Sequence, residues 1–197
     1  RSSTPEEVDY VGSRPQIRDL NLALHGVTPI ACGIAEAGSY AAYWKFDEGH
    51  DNAIYDQSVN ANTGTNNGAV WTNDGKFGKA LSFNGTSSYV EVAAATSVND
   101  LPAMSISAWI YPRSLGGSGL PRIVDKSTGT APVNGWFFRL STNNILNFTV
   151  DYDGATNLNR DSATTVRSNA WSHVLMTWDG TSRQTGIRMY IIGSEGS

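Results

Sequence analysis

From Tyr40 onward, apolar and polar residues alternate with a period of two in one short run after another. That period puts successive side chains on opposite faces of an extended strand. The runs are "YWKFDE", "KALSFNG", "YVEVAA", "SISAWIYP", "RIVDK", "GWFFRLST", "ILNFTVDY", "WSHVLMTWDG" and "GIRMYIIG". In "SISAWIYP", Ile106, Ala108 and Ile110 share one face and Ser107, Trp109 and Tyr111 the other. In "WSHVLMTW", Val174, Met176 and Trp178 alternate with His173, Leu175 and Thr177. Asn-Gly, Asp-Gly, Gly-Gly and Pro signals separate the runs, and no run of ten residues has helical spacing. Short, evenly spaced, β-branched and aromatic strands predict an antiparallel sandwich or barrel with low helix content.

At 197 residues the chain is one sizeable domain, or one domain with a tail, and it is long enough to bury a core. The net charge of -4, with no dense basic block, argues against nucleic acid as a partner. Cys32 is the single cysteine, so no disulfide forms within the chain. No stretch reaches the roughly 20 apolar residues of a membrane helix. The low charge and the Thr, Asn and Gly content read as an extracellular or cell-surface β protein. The chain begins at Arg1 rather than Met, which reads as a mature or excised fragment, so a missing signal peptide says little.

The pattern divides near Gly38. Residues 1–38 have weak periodicity and hold three of the seven prolines. Within them, "IRDLNLALHG" reads as one short helix stopped by Gly26, and the segment as a whole reads as a linker or the tail of an upstream domain. Residues 8–19, "VDYVGSRPQIRD", resemble a segment near the end of pectate-lyase-type β-helix proteins. That resemblance implies a larger parent protein that processes polysaccharide.

Residues 39–197 form the second unit. The ordered set "AYWKFDEG", "DQSVNANTGT", "GKFGKALSFNGTSSYVEV", "MSISAWIYP", "RIVDK", "GWFFRLS", "WSHVLMTWDGT" and "IRMYI" resembles the laminin-G-like, concanavalin A-like domains of secreted bacterial proteins, over about residues 40–192. The resemblance implies an all-β fold, a jelly-roll sandwich of two curved antiparallel sheets. It also implies an accessory module of a secreted multidomain protein, with carbohydrate as the commonest ligand. Such domains continue past the strand matching "IRMYI" with further strands, whereas this sequence stops at "GSEGS". A jelly roll lacking its closing strands exposes a sheet edge. The N-terminal segment, or a strand of another protein chain, is then expected to fill it.

Three chemistries compete for the polar residues. Glycoside hydrolysis needs two carboxylates across the scissile bond. Asp47 and Glu48 are adjacent, so on a strand they face opposite ways. The E-x-D-x-x-E motif of the related glucanases is absent, as are the Arg-Glu, Gln-x-His and Tyr-Lys motifs of the related alginate lyases. The three histidines lack zinc spacing and Cys32 lies in the tail, so a non-catalytic chain is expected.

For metal, the resemblance implies a structural calcium held at Asp47, with Asn84 and Gly85 of "FNG". The competing reading makes Asp47 and Glu48 solvated turn residues beside Gly49. For sugar, an aromatic platform and planar polar groups are needed. Trp44, Phe46, Trp109, Phe138 and Trp178 sit in strand patterns and read as core. Trp71, Trp136 and Tyr152 read as loop-borne platforms. Arg139, Asn147, Asp151 and His173 read as polar residues of one sheet face, with a structural histidine as the other reading of His173. The run "NANTGTNNG" reads as turn chemistry. The expected function is carbohydrate binding, with a polysaccharide or glycan as partner. The alternative is a structural or adhesive module that contacts protein by strand pairing.

Overall fold

The computed structural model describes residues 24–25, 40–99, 101–113, 121–127, 135–150 and 157–194. Among the described residues thirteen strands run in chain order: β1 (Leu24–His25), β2 (Ala53–Ile54), β3 (Gly64–Asn67), β4 (Val70–Thr72), β5 (Ala80–Ser82), β6 (Tyr89–Val92), β7 (Met104–Ile110), β8 (Arg122–Lys126), β9 (Trp136–Leu140), β10 (Ile145–Val150), β11 (Leu158–Thr165), β12 (Ser172–Trp178) and β13 (Ile187–Ser194). The described helices are two short 3-10 turns, Thr142–Asn144 and Gln184–Gly186. No helix among the described residues is long and apolar enough to cross a membrane.

Two four-stranded antiparallel sheets dominate. One has the order β1-β7-β12-β13 and the other β11-β10-β9-β8. Smaller sheets, β2-β3-β6 and β4-β5, complete the architecture. The alternation read from sequence decides what lies inside. Met104, Ile106, Ala108 and Ile110 of β7 join Val174, Met176 and Trp178 of β12 in one core. From the opposite sheet come Trp136, Phe138 and Leu140 of β9 and Leu146, Phe148 and Val150 of β10. The Phe148 ring touches both Trp136 and Trp178, with centroids 6.3 Å away in each case. Two apolar sheet faces closed on one core make an all-β sandwich.

Besides β1, four strands escaped the sequence reading. β3 is "GTNN" and lies inside the run expected to be turn. Its Asn66 is buried and closes its own turn, donating to the Ala69 carbonyl at 2.8 Å and accepting the Ala69 N–H at 2.9 Å. β11 is "LNRDSATT", with only Leu158 buried. β2 and β4 are two and three residues long.

"YWKFDE" alternates in burial as expected, with Trp44 and Phe46 at 1% exposure. Among the described residues it nevertheless makes one isolated bridge, Trp44 to Asp56, rather than a ladder. Phe46 has φ +58, a left-handed value that ends an extended run.

The helix expected at "IRDLNLALHG" is corrected where the structure describes it: Leu24–His25 is a strand paired with β7. Leucines at 20, 22 and 24 repeat every two residues, which is a strand period and not a helical one. The rest of residues 1–39, and with it the segment resembling β-helix proteins, lies outside the described residues.

Candidate functional site

The outer face of the β8–β11 sheet is built from the residues left over when the core takes every second position. The strand registers then line these residues up in two rows. Arg139 stands opposite Arg122 on one side and Asn147 on the other, and Asn147 stands opposite Asp161. One step along, Phe137 stands opposite Asp125 and Thr149, and Thr149 opposite Asn159. Each row crosses all four strands.

Asn147 is the hub. Its Oδ1 accepts Arg139 Nε–H at 2.8 Å and the Thr149 hydroxyl at 3.2 Å. Its Nδ2 donates to Asn159 Oδ1 at 2.8 Å and Asp161 Oδ1 at 2.7 Å. An asparagine side chain has two donor hydrogens and two acceptor lone pairs. All four are used here, and the residue is only 2% exposed. Asn159 and Asp161 are exposed and Arg139 is half-buried, so the hub holds outward-facing groups in fixed positions.

Phe137 lies beneath two guanidinium groups. Arg122 Cζ is 3.7 Å and Arg139 Cζ 4.5 Å from its ring centroid, within cation–π range. Arg122 Nε also pairs with Asp125 at 3.4 Å. Burial, then the neighbouring Arg122 charge, hold Arg139 below the ordinary arginine pKa, while Asp161 and Asp125 pull it back up. The face therefore carries interleaved planar donors and acceptors of both signs.

A groove of about 810 Å³ runs on from this face. It lies between β6 and β8, and its lining includes Arg122 and Asp125 together with Val90, Val92, Ile123 and Trp136.

The expected sugar residues scatter. Arg139 and Asn147 come together as described. His173 does not join them: it projects from the outer face of β12, on the opposite side of the sandwich. There it stacks on Trp109 at 5.2 Å, and its Nε2 lies 2.6 Å from Ser107 Oγ. Trp136 opens β9 and is buried in the core rather than borne on a loop. Trp71 is a residue of β4, packed against the core with Nε1–H donating to the Asp51 carbonyl at 3.1 Å. Asp151 and Tyr152 lie outside the described residues. Trp44, Phe46, Phe138 and Trp178 are core as expected, while Trp109 is buried on the outer face under Phe77 and Lys76. Sequence reasoning missed Arg122, Phe137, Thr149, Asn159 and Asp161. Alternate polar positions in "LNRDS" were the available signal for the last two.

The calcium donors implied by resemblance do not fit the ion. Asn84 Oδ1 accepts the backbone N–H groups of Thr86, Ser87 and Ser88 at 3.0, 2.9 and 3.0 Å, which saturates its lone pairs. It closes its own turn, with Gly85 exposed at the tip. Asp47 Oδ1 accepts the Lys79 N–H at 3.1 Å. The Lys79 side chain crosses the adjoining Gly49 so closely that a Cβ there would collide with its Nζ. The Lys79 side chain thus lies over the turn that carries Asp47 and Glu48. Glu48 Oε1 accepts the Tyr55 N–H at 2.9 Å, and its Oε2 is buried with no partner among the described residues. Among the described residues, no group of three or more His, Cys, Asp or Glu side chains gathers as a metal site.

No curated protein and no solved structure matches the chain. A family model described as "Concanavalin A-like lectin/glucanases superfamily", of the laminin-G type, matches residues 84–196. That match takes in β6 to β13, so it spans both rows of the polar face and the two large sheets that hold them. With more than half of its length in that match and an all-β two-sheet sandwich as its fold, this chain belongs to the laminin-G-like branch of the concanavalin A-like superfamily.

Proposed function

We propose that this chain is a non-catalytic glycan-binding module, an accessory domain of a secreted multidomain protein, and that it takes its ligand on the outer face of the β8–β11 sheet. The family fits a lectin-like or protein-interaction module, generally non-catalytic and commonly extracellular. The observation that carries the reading is the Asn147 hub. Sugar hydroxyls are bound by planar groups held in place before the ligand arrives. Arg139, Asn159 and Asp161 are such groups, and Asn147 fixes all three. The adjoining groove offers room for a chain longer than one sugar. The two acids of the face are engaged, Asp161 by Asn147 and Asp125 by Arg122 and Ser127, which suits recognition better than proton transfer.

The test is a glycan array probed with the intact chain and with Arg139→Ala and Asp161→Ala variants. Binding to one polysaccharide class, lost in both variants while the fold persists, is the expected result. Undiminished binding by both variants would remove the face from the account.

A further inference from the structure

The two polar rows of the β8–β11 sheet offer a sugar no exposed ring. Phe137, the aromatic residue of those rows, is 3% exposed and lies beneath the Arg122 and Arg139 guanidinium groups. A pyranose buries its apolar C–H face against an aromatic ring, so a site built from the rows alone is incomplete. Four Phe, Tyr or Trp side chains are exposed among the described residues: Tyr55, Phe77, Tyr89 and Tyr190. Phe77 lies edge-on to Trp109, and Tyr190 stands opposite Leu175, both in the other large sheet. Of the four, Tyr89 alone lines the groove that also takes in Arg122 and Asp125.

We propose that Tyr89 is the stacking platform of the glycan site: a polysaccharide chain extends from the Arg122 end of the polar rows into the groove and lays one pyranose ring on the Tyr89 ring. This inference rests on the glycan reading above and names the residue that supplies its contact with the sugar ring. Tyr89 is 53% exposed and opens β6. Its backbone is held on two sides. Just before it, the turn of residues 84–88 is closed by Asn84, whose Oδ1 accepts three backbone N–H groups and whose own N–H donates to Ser88 Oγ at 2.8 Å. Beside it, Asn67 of β3 stands opposite in register. A platform fixed before the ligand arrives loses little conformational freedom on binding.

The strand period decides what stands beside the ring. Val90 and Val92 pack against the core, so Tyr89 and Glu91 share the outward face of β6. Glu91 is exposed and lines the same groove. Arg122, Asp125 and Lys126 line it from β8. The ring thus has a carboxylate on its own strand and charged donors and an acceptor across the groove. An exposed ring for the C–H face, with polar groups around it for the hydroxyls, is the combination a pyranose requires.

The test presents the full chain to an array of immobilised cellulose, xylan, mannan, pectin and alginate, and then measures isotherms with the polysaccharide retained. The variants are Tyr89→Ala, Tyr89→Leu and Tyr89→Phe, with Arg139→Ala beside them and Tyr55→Ala as an exposed tyrosine outside the groove. Tyr89→Ala and Tyr89→Leu should weaken binding about tenfold, since both remove the ring and Leu keeps an apolar side chain. Tyr89→Phe should stay within about threefold of the intact chain, because the ring remains. Tyr55→Ala should bind as the intact chain does, and all Tyr89 variants should keep its urea midpoint, as befits an exposed position. Full-strength binding by Tyr89→Ala would overturn the platform, and its loss in Arg139→Ala at the same time would leave the glycan reading standing. A loss in Tyr89→Phe equal to that in Tyr89→Ala would assign the contact to the hydroxyl and overturn stacking. Loss confined to variants whose urea midpoint falls would make Tyr89 structural, with the same consequence. No binding by the intact chain to any of the five polysaccharides would overturn the platform and the glycan reading together.

Discussion

Arg139 and Asn147 face each other directly across β9 and β10, and the guanidinium Nε donates to Asn147 Oδ1 at 2.8 Å. The pair separates two roles that sequence alone had merged. Asn147 is buried and fully bonded, so it positions, whereas Arg139, Asn159 and Asp161 reach solvent and make contact. Asn147→Ala strips the shared partner from four polar side chains, those of Arg139, Thr149, Asn159 and Asp161. It should lower stability by about 1–3 kcal/mol, the usual cost of breaking a buried hydrogen-bonded group, and weaken glycan binding as well. Asp161→Ala leaves one donor of the buried Asn147 amide without its acceptor and should cost about 1 kcal/mol, less than Asn147→Ala, while still weakening binding. Chemical denaturation beside a binding isotherm separates the two outcomes.

Asp56 holds the first loop together. Its carboxylate accepts backbone N–H groups from Tyr43, Ser58 and Asn62 at 2.7, 2.8 and 2.8 Å, and the Ser58 hydroxyl at 2.8 Å. Asp56→Ala abandons three backbone donors in a site where the carboxylate is 9% exposed. The expected loss is about 2–4 kcal/mol, because unsatisfied buried donors cost more than an average bond gains. Urea unfolding of the variant checks it, and a midpoint equal to that of the wild type would refute this reading of the loop.

Phe148 is fully buried between Trp136 and Trp178, where the two sheets meet. Phe148→Ala should cost about 3–5 kcal/mol, the range for a large aromatic removed from a closed core. Phe148→Leu should recover much of that, since it keeps most of the volume. Thermal melts of both variants give the comparison.

Tyr43 supplies a pH dependence. Burial, then the neighbouring Tyr40 and Asp47, push its pKa from 10.0 up to about 12. Between these values the unfolded chain releases the proton and the folded one keeps it, so folding stability must fall as pH rises. The contribution is complete below about pH 10 and lost on passing the folded value. Tyr43→Phe should therefore flatten the stability decline between about pH 10 and 12, and denaturant midpoints measured across that interval test it.

Calcium should not matter to the fold. Asn84 is saturated by its own turn, and Lys79 already lies over the Asp47–Gly49 turn. Melting temperatures with added calcium and with EDTA should coincide. A clear rise with calcium, abolished by Asp47→Asn, would restore the metal site that the resemblance implies.

How much of this was legible beforehand depends on whether burial or register carried the information. The strands of the core were readable because Ile106, Ala108, Val174 and Met176 advertise one face each by alternation. β11 was not readable, because seven of its eight residues are exposed or half-exposed and an apolar period is absent. "NANTGTNNG" looked like turn because Asn and Gly favour turns. Its Asn66 instead satisfies buried backbone groups, a role fixed by Ala69 three residues away. Arg139 and Asn147 were visible as alternating polar residues, yet their meeting with Asp161 depends on two strand registers, which no local pattern reveals. His173 shows the same limit from the other side. Its position along β12 was right, but only the sheet order puts β12 and β9 in different layers.

The most direct test of the central claim is a side-chain NMR titration with an oligosaccharide of the class the array selects. The account predicts that the Arg139 Nε–H and the Asn159 and Asn147 amide signals shift with ligand, while the His173 and Trp109 ring signals of the opposite sheet stay in place. Saturable shifts at His173 and Trp109, with the Arg139 and Asn159 signals unmoved, would contradict it and move the binding face to the other side of the sandwich.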